Sequence, residues 1–232
     1  MGEIVEQYVW RDRYSLETGY EYRLPLTSMT YHKDGHFYAG RRRWDGINNY
    51  INRFVFSDAP VANPYNGEME MAFWFENVLL PTSLYDINGW PYNPGNITSN
   101  GDYLFTLGPE GSRNTNPTGV KIKVFAINGD NITLVKDFIM PNDPEGLGMP
   151  EVLTGFVAVD DIIYIIPWMR RGKITAINWR TEEWLEAWWS HNNITHEVNG
   201  QYDWVNDIFW IGEHSRYHYL SNKIHAYSNC QR

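Results

Sequence analysis

Apolar and polar residues alternate along most of this chain in short runs, each cut off by Gly, Pro, Asn or Asp. Alternation with period two places one face of each run on a core, which marks strands and not helices. Four of these runs share one order: a turn rich in Asp, Asn and Gly, an aromatic-aliphatic strand, then a strand built on a single isoleucine. Asp34-Gly35 leads through Phe37-Tyr38-Ala39 to Ile51, and Asn100-Gly101 through Tyr103-Leu104-Phe105 to Ile122. Asp160-Asp161 leads through Ile162-Ile163-Tyr164 to Ile174, and Asn206-Asp207 through Ile208-Phe209-Trp210 to Ile224. The best helical candidate, Arg180 to Trp189, falls where a fourth strand is due. Its Trp184, Glu186 and Trp188 alternate with Leu185 and Ala187, so it too reads as a strand.

The pattern predicts four units of up to four strands each. The first takes Ser28–Tyr31, His36–Arg41, Tyr50–Phe56 and Glu68–Phe75. The second takes a short strand near Ile97–Asn100, then Tyr103–Leu107, Val120–Ile127 and Ile132–Ile139. The third takes Gly155–Val159, Ile162–Pro167, Lys173–Trp179 and Glu183–Trp189. The fourth takes Tyr202–Val205, Ile208–Gly212 and Lys223–Tyr227, and then the sequence ends one strand short. An unassigned strand, Glu3 to Trp10, lies ahead of the first unit.

A degenerate all-strand repeat of about 50 residues resembles the β-propeller repeat proteins. The resemblance implies an all-β, four-bladed propeller forming one domain over residues 1–232. Its blades cover about 24–80, 81–141, 149–192 and 199–229 plus 3–10. It also implies a ring closed by the N-terminal strand beside Lys223–Tyr227, which would cover an open sheet edge. Strands of their own between Asn77 and Asn96 would make five smaller blades instead. Hemopexin-like propellers close with a disulfide, which the single Cys230 cannot form. No Trp-Asp dipeptide ends a repeat, and no Gly-Gly pair marks the second strands.

Composition narrows the partners. The formal net charge is −9, opposite to what a phosphate backbone selects, so nucleic acid is not an expected partner. The basic run Arg41-Arg42-Arg43 reads as a solvated loop. The N-terminus lacks a basic stretch followed by an apolar one, and no apolar run is long enough to span a bilayer. These features point to a protein of the cytoplasm, or of a particle such as a virion assembled there, without membrane insertion. Three Asn-Ile-Thr triplets, at Asn96, Asn131 and Asn193, read as turn asparagines ahead of β-branched strand starts.

Candidate chemistry is thin. His214 and His218 are four apart, but in a predicted loop, and His191 and His196 form another loose pair. Neither supplies the converging ligands that zinc needs, so no metal or cofactor is expected. Asp86, Asp102, Glu151 and Asp203 lie near the innermost strands, where glycoside hydrolysis would need two facing carboxylates. Turn chemistry accounts for them equally. No serine elbow or phosphate-binding glycine loop occurs, and no catalytic residue is assigned. Aromatic residues make up 16% of the chain, with 11 Trp and 16 Tyr. Six of them fall in or beside connections: Trp44, Trp90, Tyr92, Trp168, Tyr217 and Tyr219. Exposed aromatics mark protein or carbohydrate surfaces, and the long polar connections 108–117 and 141–148 sit where contacts are usual. The expectation is a non-enzymatic scaffold in which the chain meets protein partners or its own copies, as in a phage tail or virion subunit. A lectin-like carbohydrate-binding propeller and a glycan-active enzyme are the alternatives.

Overall fold

The computed structural model describes residues 9–10, 26–41, 50–63, 66–79, 81, 96–110, 119–140, 153–167, 173–189, 198–213 and 223–228. They form strands and turns and no helix. The strands are β1 (Val9–Trp10), β2 (Leu26–Tyr31), β3 (Phe37–Arg41), β4 (Tyr50–Phe56), β5 (Val61–Ala62), β6 (Met69–Glu70) and β7 (Ala72–Leu79). Next come β8 (Asn96–Ser99), β9 (Tyr103–Glu110), β10 (Gly119–Asn128) and β11 (Asn131–Ile139). Then follow β12 (Leu153–Val159), β13 (Ile162–Pro167), β14 (Lys173–Asn178) and β15 (Glu183–Trp189). The last are β16 (Val198–Asp203), β17 (Ile208–Glu213) and β18 (Lys223–Ser228).

Four sheets follow one another along the chain. The first has the order β1-β7-β4-β3-β2, the second β11-β10-β9-β8, the third β12-β13-β14-β15 and the fourth β16-β17-β18. Apart from β1, neighbouring strands in each are antiparallel. This succession of small antiparallel sheets is of the β-propeller type.

The repeat positions make the core. The second residue of each aromatic-aliphatic strand, Tyr38, Leu104, Ile163 and Phe209, is 0% exposed. The repeat isoleucines Ile51, Ile122 and Ile174 are equally buried. Tyr38, Ile51 and Val78 of the first sheet pack against Ile97, Leu104 and Phe125 of the second. Phe105, Ile122 and Val124 meet Phe156, Ile163 and Trp179 of the third. Val157, Tyr164 and Ile174 meet Tyr202 and Phe209 of the fourth. Each of these side chains contributes about 1.5–3 kcal/mol by leaving water.

The strands that open the four repeats pack on one another in series, β2 on β8, β8 on β12 and β12 on β16. The first and last sheets also touch. The Gln201 side-chain amide of β16 donates to the Thr30 hydroxyl of β2 at 3.0 Å, and the Tyr31 and Trp204 rings stack with centroids 6.0 Å apart.

Several expectations need correction. Of the expected strand Glu3–Trp10, the described part runs parallel to β7, with Val9 opposite Ala72 and Trp10 opposite Phe73. It does not lie beside Lys223–Tyr227. Both outer edges offer unpaired backbone groups, and an alternating strand carries no mark of which edge it will cover. The outer strand of the first sheet is Ala72–Leu79 and not Glu68–Phe75, because an unforeseen hairpin of β5 and β6 takes residues 69 and 70. Reciprocal bonds at 2.8 and 2.9 Å between Ser57 and Ala72 restart the ladder there. The inner strand of the fourth sheet ends at Asp203 instead of continuing to Val205. The Asp203 carboxylate accepts from the backbone amides of Val205 and Asn206, both at 3.1 Å, and bends the chain. Gly108–Glu110, expected to open a loop, extends β9 opposite Gly119–Lys121. The strand at Glu183–Trp189 agrees with the alternation. Asn96 and Asn131 do begin strands, whereas Asn193 and residues 82–95 lie outside the described residues.

Gly101 lies where the second sheet's inner turn meets the fourth. Its φ is +94°, and a Cβ there would stand 3.3 Å from the Trp204 ring. Gly35, the equivalent residue of the first sheet at φ +91°, has open space around it. Gly35→Ala therefore carries only backbone strain, and Gly101→Ala adds overpacking against a stacked indole. Denaturant melts are expected to place Gly101→Ala about 1–2 kcal/mol below Gly35→Ala. Equal losses would show that Trp204 does not rest on this turn.

Candidate functional site

The turns joining the first and second strands of the four sheets gather at one end of the molecule. The Lys33 amide donates to the Gly101 carbonyl at 3.3 Å, and Lys33 and Asp102 form an ion pair. The Asn100 side chain donates to the Asp160 carbonyl at 2.6 Å, and Trp204 lies over Gly101 and against Tyr31. Each turn holds a residue with positive φ: Gly35, Gly101, Asp160 and Asp207. Glycine adopts that conformation freely and Asp tolerates it better than most residues, so the Asp/Gly signature of the repeat is a backbone requirement. It also leaves an acidic rim of Asp34, Asp102, Asp160, Asp161, Asp203 and Asp207.

The first turn is the most elaborate. Its Asp34 carboxylate accepts from the Tyr38 hydroxyl at 2.6 Å and from the His36 amide at 3.0 Å. Burial works against the charged form of Asp34. The bonds from Tyr38 and His36 outweigh it, and the carboxyl sits below its usual range. Burial and the same carboxylate push the Tyr38 phenol up. His32, 1% exposed, accepts from the Asp34 amide through Nδ1 at 3.2 Å. Its proton then sits on Nε2, which is buried without a hydrogen-bond partner. Burial holds the imidazole below its ordinary pKa despite Asp34 beside it. The network was missed in the sequence, although His32, Asp34, His36 and Tyr38 occupy alternate positions.

Ion pairs tie neighbouring sheets together. Arg53 of β4 reaches Glu76 at 2.8 Å and Asp130, in the β10–β11 turn, at 2.6 Å. Lys136 of β11 meets Glu182 at 2.9 Å and donates to the Arg180 carbonyl at 2.6 Å. Arg180 bonds Asp161 at 2.6 Å and lies 4.2 Å over the Trp179 ring.

Of the carboxylates considered for glycoside chemistry, Asp102 pairs with Lys33. Asp203 is hydrogen-bonded by the Asn206 side chain at 2.7 Å and held below the usual carboxylate range by it. A general acid needs the opposite shift. Asp86 and Glu151 lie outside the described residues, as do His191, His196, His214 and His218. Among the described residues no group of three His, Cys, Asp or Glu side chains could hold a metal.

The loop aromatics Trp44, Trp90, Tyr92, Trp168, Tyr217 and Tyr219 also lie outside the described residues.

No protein-family model and no curated protein matches the chain. Among solved structures it is similar to U3-55K, at 9% identity and a TM-score of 0.40, over 90% of this chain and 53% of that one. It is also similar to the RRP9 WD40 repeats, at 10% identity and a TM-score of 0.39, over 84% of this chain and 46% of that one. The chain thus spans about half the length of these solved chains.

The buried His32 gives this end a pH dependence. The unfolded chain takes up a proton on His32 near 6.5 while the folded chain resists it. Its contribution to stability is therefore complete above pH 6.5 and is lost as the pH falls toward the lower folded value. Asp34 adds a second loss below 3.8. Melts between pH 7 and 5 are expected to show wild type losing up to about 1.4 kcal/mol per pH unit more than His32→Gln. Parallel slopes would mean that His32 charges freely in the folded state.

Proposed function

We propose that the chain is a non-enzymatic interaction scaffold. In this reading the four sheets are the four blades of a closed propeller, and the chain is a structural subunit of a larger assembly, of the kind found in a phage tail or virion. The observation that carries the reading is the cross-bonded set of turns at one end. They are linked by Lys33–Asp102, Asn100–Asp160 and the Tyr31–Trp204 stack, and together present a fixed acidic rim. Such a surface keeps its shape on contact, so binding costs little ordering entropy. The loop aromatics Trp44, Trp90, Tyr92, Trp168, Tyr217 and Tyr219 supply a second contact zone.

Light scattering on a sizing column at physiological salt tests assembly. A closed oligomer several times the 27.2 kDa chain is the expected result. Alanine at Trp168 and Trp90 is expected to shift it toward smaller species. A monomer at all concentrations would contradict the structural-subunit reading, and carbohydrate arrays would then test the lectin-like alternative.

A further inference from the structure

Asparagine followed by glycine occurs at Asn66, Asn88, Asn100, Asn128 and Asn199. In such a pair the glycine nitrogen, unhindered by a side chain, can attack the asparagine side-chain carbonyl, and the fold decides whether it gets there. Asn88 lies outside the described residues, and the structure separates the other four. Asn100 is locked. Its Nδ2 donates to the Asp160 carbonyl at 2.6 Å, and its Oδ1 accepts from the Asp102 and Tyr103 amides at 3.1 and 2.9 Å. The buried Gly101 amide donates to the Ser99 hydroxyl at 2.9 Å. Asn66 donates to the Glu68 carboxylate and accepts from the Glu68 amide, each at 3.0 Å, while the Gly67 amide donates to the Asn63 carbonyl at 2.7 Å. Asn199 and Gly200 lie within β16, with their backbone opposite Gly212 and Ile211.

Asn128-Gly129 is placed differently. Asn128 ends β10 and pairs with Asn131 at the start of β11, so Gly129 and Asp130 form a two-residue turn whose own amides stand outside the ladder. Asn128, Gly129, Asp130 and Asn131 are all exposed. Gly129 has a φ of +60°, and nothing lies within 4 Å of where a Cβ would be. We propose that Asn128 is a site of spontaneous deamidation, and that its isoaspartate product loosens the tie between the first and second sheets. The Gly129 nitrogen bonds to the Asn128 Cγ, the Cγ–Nδ2 bond breaks, and ammonia leaves with the Gly129 amide proton. Water then opens the resulting cyclic imide at either carbonyl. One opening gives aspartate. The other gives isoaspartate, whose main chain runs through the side-chain carbon and is one methylene longer. Exposed turns and asparagine are both known weak points of folded chains. Asp130 follows two residues later, and its carboxylate holds the Arg53 guanidinium at 2.6 Å, joining β4 to the β10–β11 turn. Lengthening the main chain at 128 displaces Asp130 from Arg53, whose other partner, Glu76 at 2.8 Å, belongs to its own sheet.

The full chain is incubated for weeks at neutral pH and body temperature, native and in denaturant, and conversion of amide to acid is followed by peptide mass mapping. A hydrogen bond on a reacting group must break before the attack, which slows it about fivefold. In the native chain the Asn128 peptide is therefore expected to convert at least about fivefold faster than those carrying Asn66, Asn100 or Asn199. In denaturant the four are expected to converge. Faster conversion at any of the other three, equal native rates, or the same lead for Asn128 in denaturant would overturn the assignment, the last because sequence and not fold would set the order. The isoaspartate fraction is then compared with Asn128→Asp, which adds the same charge without lengthening the main chain. Hydrogen exchange across β4 and the β10–β11 hairpin is expected to be faster in the isoaspartate fraction. Equal exchange in the two would overturn the loosening.

Discussion

Face-to-face burial between neighbouring sheets is the constraint on which this molecule depends. A small sheet with an apolar face must bury that face against another element. Each one here gives a face to the next, through Tyr38 and Leu104, then Phe105 and Ile163, then Tyr164 and Phe209. A linear stack of this kind would leave apolar faces at both ends. Bringing the last sheet back to the first reduces that exposed area, and the Gln201–Thr30 bond and the Tyr31–Trp204 stack stand at the point of return.

The returning contact differs in chemistry from the other three. The earlier gaps are closed by aliphatic and aromatic side chains at near-zero exposure. Among the described residues the last shows one amide–hydroxyl bond and one ring stack. A hydrogen bond of this kind adds about 0.5–1.5 kcal/mol and a stacked pair about the same beyond its buried area. These contacts fix register more than they supply stability. The inner turns add Lys33–Asp102 and Asn100–Asp160, which tie neighbouring turns of the rim together.

Much of the strand framework was legible in the sequence, because a buried face repeats every second residue. The positions that bury completely, Tyr38, Leu104, Ile163 and Phe209, hold the same place in each repeat, as do the isoleucines. Strand ends were less legible, because they were set by side chains acting on the backbone. Asp203 stops β16 early, and Ser57 with Ala72 restarts the first sheet after an unforeseen hairpin. The candidate site was hardest to foresee. Trp204 rests on Gly101 from 103 residues away, a contact created only when the fourth sheet returns to the first. The aromatics singled out in the sequence lie outside the described residues, whereas the ring contacts of the first sheet are built from strand phenylalanines that alternation assigns to a core.

The central claim is that the first and last sheets meet at the axis. Cysteines at Thr30 and Gln201, in a Cys230→Ser background, test it through a short thiol-to-thiol crosslinker and peptide mass mapping. The account predicts rapid crosslinking within one chain in the native state and none in denaturant. Crosslinks only between chains, or none at all in a folded protein, would contradict it.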